Sequence, residues 1–288
     1  MAGSILLLSD LHADILALND ILEIAGSDAF SKRYGPVEKI LNLGDLLERG
    51  HHPREVVERL QELDNVVSII GNHEEAFLLG RKISTPDAKS LASHQDYKAS
   101  GTCGAFFEGM PRTYVDLPRL LYAAHGGPLD PASLISSREA DFETAWHYAQ
   151  SWQRISETGS SYMAPDGYHY LPEEAFAAVK DVFKRGGFVV VCGHDHREVV
   201  YRQRNGVIEN ILDKLPEQVI DLQGRRIREK QLEVAEDANY LVRLGIGGPE
   251  GYLPRGWADR SYFGVLVEKA GRRTIYLLSF DRQRPAHS

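Results

Sequence analysis

The chain has 288 residues, of which 43% are hydrophobic, and its formal net charge at pH 7 is -8. This amount of apolar material suffices for a large core, and the acidic balance argues against a nucleic-acid partner. No apolar run approaches the ~18 residues of a membrane span, the N-terminus has no signal-peptide pattern, and two cysteines are too few for a disulfide framework. We therefore expect a cytoplasmic protein with no membrane partner.

The first part of the chain alternates strand-like and helix-like patterns. Residues 4–9 are apolar throughout, which predicts a strand buried on both faces, and residues 37–43 and 66–70 repeat the pattern. A helical spacing of leucine and isoleucine follows the first run and ends at Gly26, and Pro53 begins a second helix. This βαβαβ order predicts parallel strands joined by right-handed crossovers.

The later strand-like patterns are of two kinds. Residues 120–124 and 188–192 are continuous apolar runs, like those at the start of the chain. After Asp195, apolar and polar residues alternate, which predicts an antiparallel second sheet. The stretch 205–237 is compatible with a hairpin, a helix or both. The alternating segments are residues 198–204, 240–244, 262–267 and 274–279.

Five short polar motifs each follow an apolar run. Ligands bind beyond the carboxyl ends of strands in open α/β sheets, so we expect the motifs to meet at one edge. Asp10 and His12 lie two residues apart, so an extended backbone would point both side chains the same way, and the same holds for His194 and His196. Imidazole and carboxylate groups bind manganese, iron and zinc. The motifs are Asp10-Leu11-His12, Gly44-Asp45-Leu46-Leu47-Glu48-Arg49-Gly50, Gly71-Asn72-His73-Glu74, His125-Gly126-Gly127 and Gly193-His194-Asp195-His196.

In this order, the five motifs resemble those of the calcineurin-like metallophosphoesterases. The resemblance implies an α/β fold, a four-layer αββα sandwich of two mixed β-sheets flanked by helices. It also implies a single domain over residues 1–288, with a helical, aromatic-rich insert at about 128–185 and an extra segment at about 205–237. The cofactors it implies are two divalent transition metal ions, manganese in the first place and iron or zinc as alternatives.

The resemblance also assigns the metal ligands. Asp10, His12 and His196 would hold one ion, and Asn72, His125 and His194 would hold the other. Asp45 would bridge the two ions. A hydroxide bridging the ions would then attack the phosphorus of a phosphorylated substrate in line.

Four residues would act on the substrate or on each other, according to the same resemblance. His73 would be the general acid that protonates the leaving group, and Glu48 would orient it, although related phosphatases carry an aspartate at the position of Glu48. Arg49 would clamp the phosphate, and Asn72 would contact it as well. The other histidines match no ligand position and are expected at the surface or in packing: His51, His52, His94, His147 and His169.

Two substrate classes remain open. Glu48-Arg49-Gly50 is similar to the motif of phosphoprotein phosphatases, which implies a phosphomonoesterase acting on phosphoserine or phosphothreonine. The pattern of residues 71–79 and the second histidine of the last motif are similar to diadenosine tetraphosphatases and phosphodiesterases, which implies a nucleotide substrate. A non-catalytic scaffold is disfavoured because every ligand position and His73 carry suitable groups. Residues 245–249 are either a loop near the active site or an ordinary turn, and Arg154 in the insert is a candidate substrate contact.

Overall fold

The computed structural model describes residues 3–80, 87–102, 104–129, 154–155, 169–253 and 259–282. Most of the aromatic residues of the insert and the side chain of Arg154 therefore lie outside the described residues. None of the described helices combines the length and the apolar character that crossing a bilayer requires.

The first part of the chain forms alternating strands and helices. Asp14 caps the first helix, because its carboxylate accepts a hydrogen bond from the Ala17 N–H, and Gly26 ends it as expected. Ser27 caps the next helix, which has seven residues and is too short to show a periodicity in the sequence. The elements are β1 (Ser4–Leu8), α1 (Ile15–Ala25), α2 (Asp28–Tyr34), β2 (Val37–Asn42), α3 (Pro53–Gln61), β3 (Val66–Ser68), α4 (Asn72–Leu78), α5 (Ala88–Ala99) and α6 (Gly104–Glu108).

The second part of the chain is dominated by strands. The ambiguous stretch 205–237 consists mainly of strands, with one short 3-10 helix at Leu212–Lys214. A single described helix, α7 (Pro172–Phe183), lies in the region of the insert. The strands are β4 (Thr113–Asp116), β5 (Leu121–Ala124), β6 (Arg154–Ile155), β7 (His169–Tyr170), β8 (Val189–Cys192), β9 (Val199–Arg204), β10 (Val207–Asn210), β11 (Glu217–Leu222), β12 (Arg225–Val234), β13 (Asn239–Arg243), β14 (Arg260–Lys269) and β15 (Arg272–Asp281).

Two mixed sheets dominate the described part of the chain, as expected. Seven strands form the first in the order β11-β12-β15-β14-β1-β2-β3, and six form the second in the order β10-β9-β13-β8-β5-β4. The predicted parallel pairing of β1, β2 and β3 is confirmed. The prediction of an antiparallel second sheet was wrong in part: β14 and β15 extend the first sheet, and β13 pairs in parallel with β8. Alternation identifies a strand but not its partner.

The packing of the core residues shows how the four layers are arranged. Successive residues of β1 face opposite ways, so Ile5 and Leu7 pack between the two sheets, while Leu6 and Leu8 pack against the helices that follow in the chain. Helix α7 covers the outer face of the second sheet, where its Phe176 joins the same cluster as Cys192, a buried free thiol. Helices, two sheets and a further helix are thus stacked in the αββα order.

Candidate metal centre

The polar motifs lie where the two sheets end side by side. Strands β1, β2 and β3 of the first sheet and strands β5 and β8 of the second all end next to one of the motifs. The sequence predicts that the five motifs meet at one edge of a sheet. In the structure they do meet, but they follow strands of two different sheets. The site is therefore built on both halves of the sandwich.

The ligand loops turn sharply and are not extended. Asp10 and His12 have φ angles of 55° and 45°, and Asp45, His194 and His196 also lie in the left-handed region, at 58°, 75° and 60°. The prediction that extended backbone aligns Asp10 with His12, and His194 with His196, was therefore wrong. Each such residue costs of order 1 kcal/mol or more, a strain that clusters at functional sites.

One group of side chains could hold a metal ion at the ends of β1 and β8. The ligand atoms of Asp10, His12, Asp45 and His196 all lie within 4.8 Å of one another. The His12 Nδ1 lies 3.0 Å from the Leu47 carbonyl oxygen, so a proton on Nδ1 leaves Nε2 with a lone pair. This Nε2 faces the Nε2 of His196 at 2.9 Å.

A second group shares Asp45 with the first. Ligand atoms of Asp45, His125 and His194 lie within 4.8 Å of one another. The His125 Nδ1 lies 2.8 Å from the Leu43 carbonyl oxygen, which turns its Nε2 towards His194 Nδ1 at 3.1 Å. The amide oxygen of Asn72 lies 2.9 Å from the same Nε2. Asp45 belongs to both groups and is therefore the candidate for a ligand shared by two ions.

The charges in this centre act strongly on each other. Burial opposes ionisation of Asp45, but the charges of His125 and His73 hold the pKa of its carboxyl well below the ordinary value. Burial lowers the pKa of His12 well below 6.5, and the positive charge of His73 adds to this effect. For His125, burial is outweighed by the Asp45 carboxylate, which raises its pKa to about 9.

The donor set fits divalent metal ions. Two imidazole nitrogens face each other across 2.9 Å, and two more across 3.1 Å. The Asn72 oxygen faces only acceptors, including both Asp45 oxygens at 3.2 Å, and only the exchanged amide would place a donor there. Electron pairs that converge in this way are stabilised by a cation between them, and the His/Asp clusters are consistent with a binuclear divalent metal site.

His73 and Glu48 form a buried pair beside the shared carboxylate. The His73 Nδ1 lies 3.0 Å from the Glu48 Oε2, and its Nε2 lies 3.7 Å from the Asp45 Oδ2. Both side chains are almost completely buried, so the carboxylate holds the imidazole in one orientation. The side chain of Glu48 thus reaches the histidine, although related phosphatases carry an aspartate at this position.

Arg49 lies beside this centre, over a tyrosine whose ring contacts His12 and His196. Its backbone φ is 70°, its guanidinium stacks over the ring of Tyr252 at 5.1 Å, and its buried Nε has no hydrogen-bond partner within the described residues. The adjacent glycine-rich segment 245–249 is part of the site and not a distant turn. The Gly247 and Gly248 N–H groups donate to the carbonyl oxygens of Ser9 and Asp10.

Glu74 supports the centre in a way that the sequence did not reveal. Its carboxylate is fully buried and accepts hydrogen bonds from the backbone N–H groups of Asp45, Leu46, Leu47 and Gly71, at 2.7–3.1 Å. Burial and the nearby Asp45 raise the pKa of Glu74. The only signal in the sequence was its place in the third motif.

Two further groups next to the site were not recognised from the sequence. His94 was expected at the surface or in packing; it is buried, and its Nε2 accepts a hydrogen bond from the Glu48 N–H. Arg112 precedes β4 and donates to the buried carboxylate of Glu75 at 3.0 Å. Each partner is distant in sequence, so neither contact follows from a local pattern.

Known proteins are similar to this chain in sequence and in fold. Residues 3–198 match the family model of the calcineurin-like phosphoesterases. An uncharacterised protein of Methanocaldococcus jannaschii is 36% identical over 96% of this chain and 88% of its own length. The crystal structure of a metallophosphoesterase from Sphaerobacter thermophilus is similar, with a TM-score of 0.53 and 21% identity over 96% of this chain and 88% of that one. The chain therefore belongs to the calcineurin-like phosphoesterase family and is a metal-dependent hydrolase of phosphate esters.

Proposed function

We propose that this protein hydrolyses phosphomonoesters in the manner of serine/threonine phosphatases, with two divalent metal ions, manganese first among them. Asp10, His12 and His196 would hold one ion, Asn72, His125 and His194 would hold the other, and Asp45 would be shared by both. When bound, such ions activate water as a nucleophile and offset the charge that develops on the phosphoryl oxygens. The clusters of ligand atoms around Asp45 support this assignment.

The side chains of this chain then perform three tasks. Arg49 and Asn72 bind the phosphate oxygens and orient the phosphorus, since a guanidinium donates to two oxygens at once. His73 donates its Nε2 proton to the leaving alkoxide oxygen as the phosphorus–oxygen bond breaks. Glu48 keeps the His73 ring in this orientation.

The observation that carries the proposal is the buried contact between His73 Nδ1 and the Glu48 carboxylate at 3.0 Å. A proton donor held beside a candidate metal centre is of use only where the leaving group is a poor one. The alkoxide of a serine or threonine side chain is such a group, because it must be protonated to leave. Positioned acids of this kind contribute roughly 10²–10⁴-fold to the rate.

The test compares p-nitrophenyl phosphate with bis-p-nitrophenyl phosphate, on chelated protein with manganese restored. A higher kcat/KM on the monoester supports the proposal, and phosphopeptides are then the next substrates to test. The His73→Ala variant should lose roughly 10²-fold or more on phenyl phosphate but much less on p-nitrophenyl phosphate, whose leaving group needs no proton. Preference for the diester, or an equal loss on both monoesters, would contradict the proposal.

A second candidate is the hydrolysis of dinucleotide polyphosphates or other phosphodiesters. The pairing of Thr113 with Ala124 places Arg112 across the strand pair from the ligand His125. The side chain of Arg112 is 47% exposed, and buried Glu75 holds it at this rim. A second guanidinium beside the centre favours a substrate with a further phosphate. Diadenosine tetraphosphate in the same assay, with wild type and Arg112→Ala, separates the candidates.

A further inference from the structure

His94 lies in the middle of α5 and is buried against the loop that follows β2. Its exposed fraction is 7%, and both of its ring nitrogens have partners. The Nδ1 lies 2.8 Å from the Ser90 carbonyl oxygen, and the Nε2 receives the backbone N–H of Glu48. These two contacts fix the orientation of the ring.

These contacts define the protonation of the ring. A carbonyl oxygen can only accept, so the Nδ1 carries the proton and donates it to Ser90, and the Nε2 presents a lone pair to the Glu48 N–H. Burial lowers the pKa of His94, which is consistent with this neutral form. The α5 N-cap supports the arrangement, because the Asp87 carboxylate accepts the Ser90 N–H at 2.8 Å.

The backbone of Glu48, which donates its N–H to His94, is strained. Glu48 and Arg49 have φ angles of 62° and 70°, in the left-handed region of backbone conformation that residues other than glycine rarely adopt. Such a conformation persists only where the surroundings fix it. The hydrogen bond to His94 fixes the start of this turn, and the Gly50 N–H, which donates to the His12 carbonyl oxygen at 2.8 Å, fixes its end.

We propose that His94 is a positioning residue, which acts through the Glu48 backbone to align the Glu48 carboxylate with His73. Its chain of contacts runs from Ser90 through His94 and Glu48 to His73, with the last contact at 3.0 Å. The proposal rests on the proposed role of His73 as proton donor. Helix α5 supplies none of the proposed metal ligands, but through His94 it would help to orient His73, the proposed general acid.

The test measures turnover of phenyl phosphate and of p-nitrophenyl phosphate by His94→Leu and His94→Gln. Leucine fills the space without an acceptor, whereas the glutamine Oε1 can take the place of the Nε2. We expect His94→Leu to lose about tenfold in kcat on phenyl phosphate and less than about twofold on p-nitrophenyl phosphate, a part of the contribution of a general acid. KM and manganese affinity by calorimetry should stay unchanged, and His94→Gln should recover most of the loss.

A matched control and a double variant complete the test. His52→Ala removes a half-exposed histidine that pairs with Glu55, and it should leave both activities unchanged. In a His73→Ala background, His94→Leu should cause no further loss, because the two residues act as a unit. If His94→Leu does not fold, His94→Gln carries the test, with activity within about twofold of wild type expected.

Three results would overturn the proposal: equal losses on the two substrates, no recovery in His94→Gln, or an additive loss in the double variant. Failure of the proposed function looks different. In that case the single variant His73→Ala would lose activity equally on both substrates. This result would refute the role of His73 as proton donor and, with it, the role of His94.

Discussion

At the scale of single residues, the site depends on backbone that is held in place by buried acceptors. The loop that carries Asp45, the proposed shared ligand, presents three consecutive N–H groups to one carboxylate, that of Glu74. A fourth comes from Gly71, whose backbone lies so close to Gly44 that a Cβ on Gly44 would be 2.6 Å from the Gly71 nitrogen. Glutamate in the third motif therefore serves the architecture of the ligand loop.

The Glu74→Gln variant tests this role. The amide replaces one acceptor oxygen by a donor, so two of the four N–H groups lose their partner in a buried place. We expect a loss of about 2–3 kcal/mol in the free energy of unfolding, measured in urea, and weaker manganese binding. Glu173→Gln, an exposed change in the first turn of α7, is the matched control. Unchanged stability of Glu74→Gln would show that the loop holds its shape without the carboxylate.

At the scale of elements, a buried carboxylate joins α2 to the outer strands of the first sheet. Glu229 on β12 is fully buried and receives two hydrogen bonds from Arg33, at 2.9 and 2.6 Å, with further ones from Tyr34 and Gln218. Burial opposes its ionisation, but these donors hold the pKa of Glu229 below its ordinary value of 4.5. A helix that the sequence pattern missed is thus tied to the sheet by an ion pair.

The pH dependence of this contact follows from the direction of the shift. The unfolded chain takes up the Glu229 proton at a higher pH than the folded protein, so the stabilisation is complete above pH 4.5 and is lost as the pH falls through the folded pKa. We expect Glu229→Gln to cost about 2 kcal/mol at pH 7, a moderate value because the Arg33 side chain is 37% exposed. Urea unfolding between pH 3 and 7 should show this difference shrinking below pH 4.5. A constant difference would contradict it.

At the scale of the whole molecule, the sequence predicts which residues form the site better than it predicts the turns and strand pairings that hold them in place. The apolar run of β1 predicted burial on both faces, and the five motifs named the residues that the structure brings around Asp45. The sequence could not predict the left-handed turns at Asp10 and His12, which several long-range hydrogen bonds stabilise, as from the Asp10 N–H to the Gly44 carbonyl oxygen. It also could not assign β14 to the first sheet, because strand alternation does not identify a partner.

Because the candidate metal site is divided between two sheets, we expect metal binding to stabilise the whole fold. Asp10 and His12 follow a strand of the first sheet, whereas His125 and His194 follow strands of the second. Ions bound between them would join the two halves of the sandwich, and the unfolded chain offers no such arrangement. A ligand that binds only the folded state stabilises it by about 2.7 kcal/mol at a concentration one hundred times its Kd.

We therefore expect manganese to raise the Tm of the chelated protein, and Asp45→Asn to abolish most of this increase, because Asp45 is the ligand that we propose both ions share. Asp10→Asn and His194→Ala should each reduce the increase, although their residues belong to different sheets. Arg119→Ala, which removes an ion pair with Asp116, is the control and should keep the full increase. If only one of the two ligand variants reduced it, only one of the two ions would contribute to the stability of the fold.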